Sequence, residues 1–149
     1  MKKLMQTPND FTLTLARFVL AAIFIGHGSQ KVFGWFGGAG PQGTIDFFQR
    51  TMGIPAPLTV FVMFTEMSAA LGFLTGLLGR VAAFGLLCVM VVAPFANHLY
   101  PRFFMNWTGT RGGEGYEYHL LAIALLVAIL VRGSGALSLD RVISSKPGE

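Results

Sequence analysis

PLTVFVMFTEMSAALGFLTGLLG, residues Pro57–Gly79, is the stretch whose reading decides the fold. It is long and apolar enough to cross a bilayer as a helix, which takes about 20 predominantly apolar residues. Its single formal charge is Glu66, about 13 Å in from the first residue at the α-helical rise. An ionised carboxylate at that depth is costly unless it pairs, takes up a proton or meets water. The organisation of the remaining chain therefore turns on what faces Glu66.

Of the 149 residues, 53% are hydrophobic and 12% are charged, the latter about half the share in an ordinary globular domain. That balance indicates a membrane protein. The net charge of +4 is not gathered into a stripe, which excludes nucleic acid as a partner. The basic residues sit at the ends of apolar runs, as charges that orient a membrane protein do. Cys88 is the only cysteine, so an intramolecular disulfide and a cysteine-rich metal site are excluded. Its apolar surroundings predict a small buried side chain. Met1-Lys2-Lys3 ahead of an apolar stretch resembles a signal peptide. Arg17 interrupts that stretch and the apolar pattern continues through the chain, which predicts that the segment is retained.

The pattern predicts an all-α chain, a four-transmembrane-helix bundle in a single domain over 1–149, with spans at 11–33, 57–79, 81–100 and 114–132. Asn9 or Asp10 is placed to cap the first span. GWFGGAGPQG, 34–43, reads as a glycine-rich turn. Thr44–Met52 carries Ile45, Phe48 and Met52 at helical spacing and reads as a short interfacial helix between the first two spans. Ser68, Gly72 and Gly76 form a small-residue stripe that would admit another helix closely. Pro94 cannot donate to the carbonyl of Met90, which predicts a kink in the third span. Glu114 and Glu117 at the start of the fourth suit the positive end of the helix macrodipole. Four spans put both termini on one side. Lys2, Lys3, Arg80, Arg132, Arg141 and Lys146 fall there, against Lys31, Arg50, Arg102 and Arg111 opposite. That margin predicts cytoplasmic termini. Trp35, Phe36, Tyr100, Phe103, Phe104, Trp107, Tyr116 and Tyr118 then gather at the outer interface as an aromatic belt.

In this topology His27, His98 and His119 fall in the outer part of the bundle, while Glu66 and Arg17 lie deeper, at levels about 7 Å apart. Arg17–Glu66 is therefore the first expected pair, either locking the first two helices or serving chemistry, because removing one partner would strand a charge in low dielectric. The second expectation is an outward-facing polar pocket containing His27, Lys31, Glu66, His98 and one or more of Glu114, Glu117 and His119. His27 and Lys31 share a helix face by their spacing of four. Histidine moves protons near neutral pH, and lysine holds an anion or a carbonyl oxygen. Such a pocket suits a quinone head group or a small anion; the competing reading is a set of interfacial side chains reaching water. A metal site is not expected, since the histidines come from separate helices with no His-x-x-x-His or Glu-x-x-His pair.

Three stretches carry a family resemblance: ARFVLAAIFIGHGSQKVFG (16–34), FTEMSAALGFLTGLLGRVAA (64–83) and GGEGYEYHLLAIALLVAILVRGSGALSLDRV (112–142). Within them lie Arg17 with Gly28-x-x-Lys31, Glu66 with Gly76-x-x-x-Arg80, and Gly135-x-x-Ser138-Leu139-Asp140. Together they resemble the DoxX family of small bacterial four-helix inner-membrane proteins. The resemblance implies the fold first. It also implies an association with a thiosulfate:quinone oxidoreductase subunit, with an oxidative-stress membrane complex that includes superoxide dismutase and a sulfurtransferase, and with quinone or catechol resistance. By resemblance, Arg17, Lys31, Glu66 and Arg80 are the positions to carry over.

The resulting expectation is a quinone-linked redox subunit or accessory, an oxidoreductase component in respiratory or oxidative-stress chemistry. Glu66, His27, His98 and His119 fill the catalytic, proton-handling role, while Lys31, Arg17 and Glu117 bind substrate, with a quinone as the cofactor. The expected partners are the lipid bilayer, soluble redox enzymes and further copies of the chain. The alternatives are a non-catalytic membrane scaffold that recruits soluble redox enzymes, and a small-solute carrier, the latter weakened by the lack of inverted repeats.

Overall fold

In the computed structural model, residues 2–96, 103–109 and 115–145 are described. Among them the chain is all helical: α1 Lys2–Met5, α2 Phe11–Val32, a 3₁₀ turn Trp35–Gly37, α3 Gly40–Met52, α4 Ala56–Thr75, α5 Gly79–Ala96, α6 Glu117–Arg132 and α7 Leu139–Ser144. Three of these, α2, α4 and α5, are long and apolar enough to cross a membrane. Helix α6, at 16 residues, is about 24 Å long at the helical rise.

Helices α2, α4, α5 and α6 pack in a ring, each against the next, with α6 closing on α2. Their centre is filled by Leu20, Phe24, Phe73, Leu86, Leu126 and Ile129, all essentially buried. Between these sit Ala21, Ala69, Ala70, Ala83 and Ala122, whose small side chains let helix backbones approach. The outside is apolar as well: Phe18, Phe61, Phe64, Phe84, Val92, Phe95 and Leu121 are all exposed. A soluble domain would not carry so continuous an apolar surface. In lipid it costs nothing, and the buried face can then be built for close packing alone.

Helix boundaries follow local chemistry. Asp10 caps α2, accepting from the amides of Thr12 at 2.8 Å and Leu13 at 3.2 Å. Helix α3 begins one turn earlier than the sequence pattern suggested, at Gly40, because Pro41 fits the first helical turn, where a missing amide hydrogen costs little. It packs on α2 and α4. Helix α4 stops at Thr75, short of the expected Gly79, because Gly76 adopts φ +68° and ends it. Helix α6 starts at Glu117, so Glu114 lies outside both the helix and the described residues. Pro94 falls in the last turn of α5, and Asn97, His98 and Tyr100 lie outside the described residues.

Two packing expectations need correction. Cys88 is exposed, on the outer face of α5, since an apolar side chain can face hydrocarbon as comfortably as a core. The Ser68–Gly72–Gly76 stripe does not form one contact line: Ser68 is exposed, Gly72 abuts Leu77 and Ala82, and Gly76 ends its helix against Ser138 and Arg17.

Candidate functional site

Antiparallel packing of α2 on α4 sets which charges meet. Gly28 lies directly over the backbone of Met67; a Cβ there would stand 3.5 Å from the Met67 Cα. This close approach brings the last turn of α2 level with Glu66. Lys31 Nζ donates to Glu66 Oε2 at 2.6 Å. The Glu66 side chain is only 5% exposed and that of Lys31 22%, so the pair is largely desolvated and depends on good geometry to offset that cost.

The pair stands at the edge of a cavity of about 410 Å³. Phe24 and His27 from α2, Met90 from α5, and Tyr118 and His119 from α6 line it, and Phe47, Phe48 and Met52 of α3 contribute to its wall. The His27 ring is 6.4 Å from that of Phe24 and 6.1 Å from that of Tyr118, and the Tyr118 and His119 rings are 5.5 Å apart. The Tyr118 hydroxyl is buried and makes no hydrogen bond among the described residues. A phenol in that state is a donor awaiting a partner.

Of the seven residues singled out from the sequence, the structure brings four together: His27, Lys31, Glu66 and His119 all line this cavity. His98 lies outside the described residues. Glu117 is used locally: its carboxylate accepts from the Met105 amide at 2.8 Å, and its own amide donates to Phe103 O at 3.0 Å, tying the 103–105 segment to the start of α6.

Arg17 does not pair with Glu66. Its side chain is completely buried at the other end of the bundle. Nε donates to Ser134 O and Nη1 to Leu74 O, both at 3.0 Å, with further bonds to the carbonyls of Phe73 and Leu137. Phe73 lies seven residues beyond Glu66, about 10 Å along the helix axis. The expected pairing across a depth difference of about 7 Å does not form because Lys31 reaches along its stem to Glu66 from the helix end, whereas Arg17 finds carbonyls at its own level. Tyr118 is the second correction, lining the cavity instead of joining an interfacial belt. Trp35, Phe36, Phe103, Phe104 and Trp107 are exposed.

The sequence also undervalued Tyr118 and Met90 as cavity residues. For Tyr118 the signal was its place beside His119 near the start of an apolar helix. Nothing in the sequence distinguishes Met90 from other apolar residues of α5. Phe48 and Met52 were legible as one apolar helix face, although not as a cavity wall. Among the described residues, no group of three or more His, Cys, Asp or Glu side chains could hold a metal ion.

The DoxX family model matches residues 12–99, more than half of the chain, with both Lys31 and Glu66 inside the match. The chain belongs to the DoxX family. No curated protein and no solved structure matches it. The DoxX match takes in α2 to α5 and ends before α6. Tyr118 and His119 thus enter the cavity of this DoxX protein from outside the matched region; Asp140, at the opposite end of the bundle, also lies outside the match but not in the cavity.

Proposed function

We propose that this DoxX protein is a four-span bacterial inner-membrane protein that holds a quinone head group beside the Lys31–Glu66 pair, serving as a quinone-linked redox subunit or accessory. In this reading α6 is the fourth span, α3 lies in the outer interface over the cavity, and the termini are cytoplasmic. The exposed apolar residues of all four long helices and the distribution of basic residues support that topology.

The observation that carries the reading is the composition of the cavity: a mainly apolar hollow lined by an ion pair and by a Tyr118 hydroxyl that has no hydrogen-bond partner among the described residues. Ligand sites for flat, weakly polar molecules are built this way, apolar walls with a few placed polar groups. A quinone head presents carbonyl oxygens that accept hydrogen bonds; Tyr118 and Lys31 are the donors that fit them. When bound, the quinone would supply two-electron, two-proton redox chemistry, with electrons delivered by a partner redox enzyme. The chain's own contribution is to bind and to manage protons. Lys31 holds a carbonyl oxygen. Glu66 balances the Lys31 charge and exchanges a proton with the cavity. His27 and His119 relay protons toward the outer surface.

Titration of protein in nanodiscs with a tailless benzoquinone tests this. Saturable binding is expected, weakened about tenfold or more in Glu66→Gln, since a charge-assisted hydrogen bond contributes about 1.5–3 kcal/mol. Absence of saturable binding, or equal affinity in the variant, would overturn the proposal.

A further inference from the structure

A second cavity of about 480 Å³ lies on the α5–α6 side of the bundle, lined by residues that include Val91, Pro94, Phe95, Leu120 and Ile123. It shares two residues with the first, Met90 and His119. The two hollows therefore meet across one wall made of these side chains. The outer cavity is almost wholly apolar, and its rim is exposed: Phe95 is 81%, Leu120 50% and Val91 45% accessible. In a chain that spans a bilayer these side chains face acyl chains, so this hollow opens sideways into lipid and not toward water.

The shared wall is built from movable parts. Met90 is unbranched and adapts its shape readily. Pro94 lacks an amide hydrogen and cannot bond the Met90 carbonyl, which removes one rung of the α5 ladder beside the wall. The α5 ladder is therefore one hydrogen bond short beside this wall.

We propose that the α5–α6 groove is the tail subsite and lateral access route of the head-group site, so that the ligand is a bilayer-borne amphiphile with a flat polar head and a long hydrocarbon tail. This rests on the quinone reading of the first cavity and narrows it to lipid-soluble quinones. The head lies against Lys31 and Tyr118, and the tail leaves past Met90 and His119 between α5 and α6. The tail passes from one hydrocarbon environment to another, so its burial adds little affinity. The groove acts by permitting passage, and blocking it acts sterically.

The test compares a long-tailed benzoquinone with its tailless parent in nanodiscs, for the wild-type protein and for Leu120→Trp/Ile123→Trp. The variant is expected to weaken the long-tailed ligand about tenfold or more, while the tailless head keeps its affinity within about twofold. Equal affinity of the variant and the wild type for both ligands would overturn the groove and leave the head site standing. Failure of the wild type to bind either ligand would overturn the functional reading itself. A second measurement does not depend on the variant folding. A quinone with a photoreactive group at the tail end is expected to label the wild-type protein at Val91, Phe95, Leu120 or Ile123. Labelling confined to the outer faces of α2 and α4 would overturn the groove.

Discussion

The two ends of the bundle use buried charge in opposite ways. At the end near the termini, Arg17, Arg80 and Asp140 are taken up chiefly by backbone groups. Arg17 caps the carbonyls of Phe73 and Leu74 at the end of α4 and reaches those of Ser134 and Leu137. Arg80 does the same for Leu130 and Val131 at the end of α6, at 3.0 and 2.9 Å, and for Gln6 at 2.6 Å. Asp140 caps the other polarity: at the start of α5, Oδ1 accepts from Leu78 N at 2.7 Å and Oδ2 from Gly79 N at 3.0 Å, and Oδ2 also accepts from Ser134 Oγ, just past α6, at 2.6 Å. Cations stand on helix C-termini and the anion on an N-terminus, as the macrodipole favours. The turn gripped by Asp140 needs holding, because Leu78 sits at φ +52°, a region unfavourable for a leucine. At the far end, Lys31 and Glu66 have each other and a hollow. One end thus commits its buried charge to backbone carbonyls and amides that hold the fold, while the other leaves a side-chain pair beside open space.

This contrast can be broken by substitution. Arg17→Met should have the largest effect, about 3–5 kcal/mol of lost stability, because it leaves carbonyls without donors and Asp140 without a nearby cation. Arg17→Lys should recover only part of that, since one ammonium cannot fork to several carbonyls. Thermal unfolding in detergent reads both. A stable Arg17→Met protein that had lost only quinone binding would invert the assignment of the two ends. Asp140→Asn should cost about 1–3 kcal/mol through weakened capping of α5, with quinone affinity unchanged in the same titration. At the other end, the double substitution Lys31→Met/Glu66→Gln should abolish head-group binding while shifting stability by less than about 1 kcal/mol, because removing both members of a desolvated pair removes its cost along with its gain. A large loss of stability there would mean that the pair is a second lock. Cys88→Ala should do least, within about 0.5 kcal/mol, as the side chain faces outward.

How far the sequence could be read follows from the same physics. Long apolar runs announced α2, α4 and α5, and Asp10 announced the start of α2, because hydropathy and capping are local properties. Lys31 with His27 was legible from i, i+4 spacing, and Glu66 from its isolation in an apolar span. The role of Arg17 was not, because its acceptors are main-chain carbonyls on other elements, which carry no signature in side-chain identity. Arg80 and Asp140 stood out only through family resemblance, which marks positions without saying what they hold. The cavity itself arises where four helices and α3 fail to fill a space, and no single segment encodes that.

The bonds from Arg17 to Ser134 and Leu137 join residues more than a hundred positions apart. During synthesis the first span would insert with its arginine still lacking those acceptors, and it would gain them only when the final segment emerged. A chain cut short before residue 134 would keep a buried guanidinium without two of its acceptors, so these two bonds tie the first long helix to the last segment made.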